Sequence, residues 1–333
     1  MKKSIKTILS LLLVAMMAVS VVGCGEKNPK ASTPEGKIEF PNGPITAICP
    51  WSAGGSSDIA FRAFMSYMAE ELGVDINVQN VTGGDGEIGY AQALAAEPDG
   101  NTLVMLNYDL LSNVAKGITD TSYKDFAMIN MFTIQDVNLV THTDYGWETF
   151  EDFKQAALEA KAAGKTLKIG VTGFWLHAAG MMAKEAGITD AVTLVPFNGS
   201  SDQVADLLGK HVDAVTTSVT AVLPHLKSGT MAILGSMGLE RDPDFPDVPT
   251  FTEMGYDVVI AGFRAVGVHK DTDLAILEIL RAAGKAAYEN PEFQKWADEA
   301  KAYQVYLDYK ETEEYMKNLS PKVEAVMKDL GLI

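Results

Sequence analysis

From Ile45 onward, short apolar runs that read as strands alternate with stretches of helical spacing. That alternation is the signature of a mostly parallel sheet with crossover helices. Ile45–Cys49 reads as a strand and is followed by a loop. Phe61, Phe64, Met65, Met68 and Leu72 then fall at helical spacing from about Asp58, with Gly73 as the stop. The unit recurs as strand 76–79, helix 87–96 and strand 102–106, and a third unit spans about 126–140. Thr149-x-x-Asp152 opens a helix ending at Gly164, before strand 167–171, helix 175–186 and strand 192–196. Ser200-x-x-Gln203 is a capping-box candidate for a helix ending at Gly209. Strands at 212–216 and 232–234 follow, and Thr250-x-x-Glu253 caps one more short helix. The last 60 or so residues read as amphipathic packing helices. Two α/β halves of similar make-up predict two lobes with a ligand cleft between them.

The 333 residues suit about two domains. Lys and Arg total 27 against 44 Asp and Glu, a net charge of −17. That balance argues against a nucleic-acid partner, which needs a basic surface. It leaves room for a small anion held at one local site. Only Cys24 and Cys49 are present, so there is no disulfide framework. Cys49, in an apolar strand, reads as a small buried hydrophobe. The histidines never fall at a His-x-x-x-His spacing. There is no Gly-x-Ser-x-Gly elbow, no His-Glu-x-x-His and no P-loop. No catalytic residue, metal or cofactor is expected.

Lys2, Lys3 and Lys6 precede an apolar run, Ile8 to Val22, that is short for a membrane span and has signal-peptide flanks. It ends in Val21-Val22-Gly23-Cys24, which resembles the lipobox of bacterial lipoproteins. The resemblance implies cleavage after residue 23 and lipidation of Cys24; an ordinary secretory signal cut nearby is the alternative. Losing residues 1–23 would take the net charge from −17 to −20. Residues 24–37 read as a flexible tether. The expected location is extracytoplasmic, with the chain anchored to the membrane through lipid.

Pro50-Trp51-Ser52-Ala53-Gly54-Gly55-Ser56-Ser57-Asp58 joins the first strand to the first helix. Its glycines let backbone approach a ligand, and the helix start offers unpaired N–H groups to a carboxylate. A plain strand–helix turn with Ser57 or Asp58 as N-cap is the alternative. Val81-Thr82-Gly83-Gly84-Asp85-Gly86-Glu87-Ile88-Gly89 repeats the arrangement. Gly84-x-Gly86-x-x-Gly89 formally fits a dinucleotide fingerprint. It is not in the first unit, however, and an exported chain meets little NAD. Two such loops read as paired anion cradles.

Both loops, with Asn80 before the second, resemble the PxxAGGxxD and N-x-x-G-x-G-x-x-G segments of the Bug-type substrate-binding proteins of tripartite tricarboxylate transporters. Further segments match in the same order: Pro98-Asp99-Gly100, Val195-Pro196-Phe197-Asn198-Gly199, Asp206-Leu207-Leu208-Gly209 and Pro246-Asp247-Val248-Pro249-Thr250. The resemblance implies a two-lobed periplasmic-binding-protein fold (type II, Venus flytrap), with lobe one at 38–142 plus 262–333 and lobe two at 143–261. It implies a receptor, not an enzyme. Such a receptor closes on a small organic acid and delivers it to the membrane permease subunits of the transporter, most simply as a monomer. The implied contacts in lobe one are Trp51, Ser52, Ala53, Gly54, Gly55, Ser56 and Asp58, with Gly83, Gly84, Asp85 and Gly86. Lobe two would add Thr172, Gly173, Phe174, His177, Phe197, Asn198, Gly199 and Ser218. His177, at a helix start, would act as a neutral hydrogen-bonding group. Ser218 stands where relatives often carry an acid or amide, which puts amino-group recognition at that position in doubt. A receptor or sensor for another transporter class and a secreted hydrolase are the competing functions.

Only four arginines exist. Arg62 lies four residues after Asp58 on one helix and suits an i,i+4 pair. Arg241 sits among acids in a loop, and Arg281 is on a C-terminal helix. Arg264 follows a crossover strand and is the candidate clamp for a second carboxylate; a hinge salt bridge is its alternative. As a clamp, Arg264→Ala weakens a dicarboxylate far more than a monocarboxylate in a binding titration.

Overall fold

The computed structural model describes residues 39–333. The signal segment, Cys24 and the whole tether lie outside the described residues. Ile45–Cys49 (β1) is apolar apart from Thr46 and almost wholly buried, as suits an interior parallel strand. It pairs in parallel with Ile76–Asn80 (β2) and Thr102–Asn107 (β3). β2 alternates half-buried and exposed residues because it is the sheet edge. Ala261–His269 (β10) runs antiparallel between β3 and Phe126–Asp136 (β4), and Gln304–Leu307 (β11) closes the far edge, giving the order β11-β4-β10-β3-β1-β2.

The second sheet has the order β7-β6-β8-β5-β9. Leu167–Val171 (β6) pairs in parallel with Val192–Pro196 (β7) and Ala214–Thr217 (β8). Asn138–His142 (β5) runs antiparallel to β8 and to Met231–Ser236 (β9). The segment read as one unit at 126–140 is therefore two strands in two sheets. β5, assigned from the sequence to the lobe at 38–142, hydrogen-bonds in the second sheet. The first crossing is the single residue Val137. The returning chain is tied there, with Met237 N–H donating to Val137 O at 2.8 Å and Ile260 N–H to Met237 O at 2.9 Å.

Helices cover both sheets. Ser56–Leu72 (α1) buries Phe61, Phe64, Met65 and Met68 and stops at Gly73, which takes φ 69° and donates to Ala69 O. Glu87–Leu94 (α2) and Tyr108–Ala115 (α3) follow β2 and β3. In the second lobe the helices are Phe150–Ala162 (α4), Trp175–Glu185 (α5), Ser200–Leu208 (α6) and Val219–Lys227 (α7). α4 carries the Thr149/Asp152 capping box read from the sequence. Leu274–Glu289 (α8), Pro291–Ala300 (α9) and Tyr309–Asp329 (α10) complete the first lobe.

Three readings change. α6 has Gly199 as N-cap with no side-chain cap, because Ser200 is engaged elsewhere. Thr250 and Glu253 do exchange capping hydrogen bonds, at 2.8 and 3.2 Å. They bracket only a turn, since Gly255 at φ 90° reverses the chain and Tyr256 N–H returns to Phe251 O. Arg264 lies within β10, not after it.

In the first lobe, Phe64 stacks on Phe132 at 4.4 Å and meets Phe293 edge-on at 5.3 Å, joining α1, β4 and α9. Phe64→Ala is expected to cost about 3–5 kcal/mol through lost burial and the cavity left behind, read as a lowered denaturant midpoint.

Candidate functional site

The carboxyl ends of parallel strands are where open α/β sheets place their ligands. Here β1 and β3 deliver Trp51, Ser56, Ser57, Asn107 and Asp109 to one cavity between the lobes. β10 and β4 add Arg264, Phe263 and Gln135, and the second lobe adds Thr172, Phe174, Trp175, Gly199 and Ser200. Its free space, part of it open to solvent, is about 380 Å³. The lobes are nearly shut.

The β1–α1 loop is held by its own hydrogen bonds. Gly54, at φ 73°, donates to Asp58 Oδ2 at 2.9 Å, and the same carboxylate accepts from Arg62 at 2.7 Å and Asn80 at 2.9 Å. Burial would push the Asp58 carboxyl up, but the bonds from Arg62, Gly54 and Asn80 prevail and hold it below its ordinary value. The i,i+4 pair with Arg62 thus organises the loop, and Asp58 is spent on it.

Lobe two is seated on the same loop. Ser52 N–H donates to Asn198 O at 3.2 Å, and Ser56 N–H to Ser200 Oγ at 2.7 Å. Gly55 N–H closes a turn onto Ser52 O. Gly199 lies so close that a Cβ there would stand 2.6 Å from Ser52 Cβ and 2.9 Å from Ser52 N. Of the amides expected to cradle a carboxylate, those of Ser52, Gly54, Gly55 and Ser56 already have acceptors. Those of Ser57 and Asp58, in the first turn of α1, meet none among the described residues.

Arg264 is the largest fully buried side chain among the described residues. Its Nη2 donates to Ser56 Oγ at 3.0 Å and to Gln135 Oε1, and its Nε reaches Ser57 Oγ at 3.5 Å. All three partners are neutral. Among the described residues no carboxylate lies within 4.0 Å, whereas Arg62 and Arg241 pair with Asp58 and Glu253. Burial pulls the guanidinium down to about 9, so it is still charged at neutral pH. A buried cation without a counter-ion is costly unless something else supplies the charge.

Other unpaired polar atoms surround the same space. Trp51 Nε1, Trp175 Nε1, Thr172 Oγ1 and Asp109 Oδ1 are buried without hydrogen-bond partners. Burial, followed by the nearby Asp85, pushes the Asp109 carboxyl up to about 8. His177 is buried in the first turn of α5, 6.3 Å from the Tyr108 ring, and burial lowers it to about 4. Desolvation, and not the helix dipole, is the main cause of that shift.

Of the residues singled out from the sequence, Trp51, Gly55, Ser56, Thr172, Phe174, Gly199 and Arg264 line this cavity. Gly84, Asp85, Phe197 and Asn198 line a separate, more open pocket with Asp202 and Ile118. Ser52, Ala53, Gly54, Asp58, Gly83, Gly86, Gly173, His177 and Ser218 line neither. The two glycine-rich loops therefore do not share one enclosed space here. Sequence reasoning passed over Asn107, Asp109 and Gln135. The usable signal was Asn107-Tyr108-Asp109 at the end of β3, where Asn107 caps α3 by accepting from Asp109 N–H at 3.1 Å.

Residues 60–332 match the family model described as tripartite tricarboxylate transporter family receptor. Protein BugT of Bordetella pertussis is 30% identical over 273 residues, covering 79% of this chain and 81% of that protein. The structure of the periplasmic binding protein BugD aligns with a TM-score of 0.81 at 21% identity, covering 88% of this chain and 99% of that one. MatC from Rhodopseudomonas palustris, solved with bound malate, aligns at 0.77 with 22% identity, covering 86% and 99%. Both structures share the two-lobed fold.

Gly199→Ala is expected to weaken ligand binding by about 5- to 150-fold, the equivalent of about 1–3 kcal/mol of overpacking. The added methyl meets Ser52 in the nearly shut arrangement itself, so the ligand-free melting temperature should fall as well. Calorimetric titration and a thermal melt check the two halves.

Proposed function

The chain belongs to the tripartite tricarboxylate transporter receptor family, a family of solute-binding receptors and not of enzymes, and we propose that it is a lipid-anchored, extracytoplasmic receptor that shuts its two lobes on a small carboxylate. The permease subunits of a tripartite transporter take the solute from it. The observation that carries this reading is Arg264, a buried guanidinium with only neutral partners facing a cavity between lobes. A ligand carboxylate supplies the missing charge through short, charge-assisted bonds. The unpaired Trp51, Trp175 and Thr172 donors, one from lobe one and two from lobe two, make that contact dependent on closure. Malate, held by MatC, is a ligand of this chemical class.

The glycine-rich loop contributes backbone through the free amides at the start of α1, where the dipole favours an anion. Gly83–Gly86 lies beside the second pocket and contributes to the mouth of the cleft. Cys24 carries the anchor, and residues 24–37 give the receptor reach to a membrane partner.

A thermal-shift screen of mono-, di- and tricarboxylates, amino acids and aromatic acids tests the reading. A true ligand at about 100 times its Kd adds about 2.7 kcal/mol to stability. Arg264→Met should abolish that shift, since losing one partner of a buried charge pair costs about 2–5 kcal/mol of binding. A full set of acids that leaves the melting temperature unmoved overturns it.

A further inference from the structure

The cavity holds a second buried charge-bearing group that the carboxylate reading leaves unused. Asp109 sits in the first turn of α3, almost fully buried, and its Oδ1 has no partner. Its Oδ2 accepts from Asn107 Nδ2 at 3.0 Å, and the backbone of Phe174 in lobe two also approaches it as a donor. Gly173 is held against it so closely that a Cβ there would lie 2.6 Å from Oδ1. The side chain is therefore fixed by donors from both lobes and lines the cavity with one oxygen open.

Arg264 and Asp109 line the same space without neutralising each other, since no contact within 4.0 Å joins them. Their strands are adjacent, Arg264 pairing with Asn107 in the β10–β3 register. The charges that act on Asp109 come from Asp85 and Lys116, which are themselves joined at 2.9 Å. Lys116 is thus already committed elsewhere. Arg264 is a buried cation without a counter-ion, and Asp109 is a buried carboxyl with no cation beside it to ionise it; one molecule that carries both complementary charges satisfies the two together.

Resting on the carboxylate reading above, we propose that the preferred ligand is a small zwitterionic amino acid, its carboxylate on Arg264 and its ammonium on Asp109. Such a ligand also suits the net charge of −17, because a neutral solute meets no long-range repulsion that a free anion would. The ammonium subsite is then on lobe one at Asp109 and not at Ser218, whose Oγ is buried outside this cavity.

The experiment is isothermal titration of the purified mature chain with alanine, β-alanine and γ-aminobutyrate, each against its deaminated partner, propionate or butyrate, and against succinate. The wild-type preference needs no variant: at least one amino acid should bind about 30-fold or more tightly than its deaminated partner. Asp109→Asn should remove that preference, bringing the amino acid down to the level of its deaminated partner on the same variant. Deaminated acids or succinate binding as tightly as any amino acid overturns the zwitterion and leaves the carboxylate receptor standing. Failure of every acid to bind removes both readings.

Discussion

A guanidinium buried in the middle of a sheet has to be supported by everything around it. Arg264 is placed on β10 between β3 and β4, and Ser56, Ser57 and Gln135 turn their oxygens toward it. Those neutral groups orient the side chain without discharging it, and burial reduces its basicity only to about 9. Folding therefore maintains an unfavourable charge that later becomes useful, a local stability cost kept for function. The aromatic core of α1, β4 and α9 has to be firm enough to hold it.

Closure rests on backbone as much as on side chains. The Asn198–Ser200 segment engages Ser52 and Ser56 directly, so lobe two rests on the loop that also positions Arg264. The Asp58–Arg62–Asn80 cluster fixes that loop, which lowers the ordering cost of ligand capture. Tyr108 stacks on Phe174 at 4.7 Å across the cleft, adding apolar contact without polar selectivity.

Much of the architecture was legible because strand and helix periods are strong local signals. β1, β6 and β7 fall where their apolar runs lie, and Thr149 caps as its spacing says. α7 was not legible, because Pro224 reads as a breaker although the helix carries it near its middle. β11 is a four-residue edge with no burial contrast. Ser200 illustrates a deeper limit: its spacing to Gln203 fits a cap, yet its hydroxyl serves a partner 144 residues away. Asp109 was missed for the same reason, since an acid in the first turn of a helix is ordinarily explained by the dipole alone. Arg264 stood out only by elimination among four arginines, and its lack of a counter-ion is a three-dimensional fact.

The join at Val137 has a mechanical corollary. With one residue between β4 and β5, and the return strand laced to it through Met237 and Ile260, little slack exists in the connection. Torsion between the two sheets at this join is confined to a few backbone dihedrals, which makes it the place where a hinge would turn. A solute's contact energy is then converted into rotation with little lost to disordered loops. A downstream machine could reverse that turn by pressing on either lobe, far from the pocket itself.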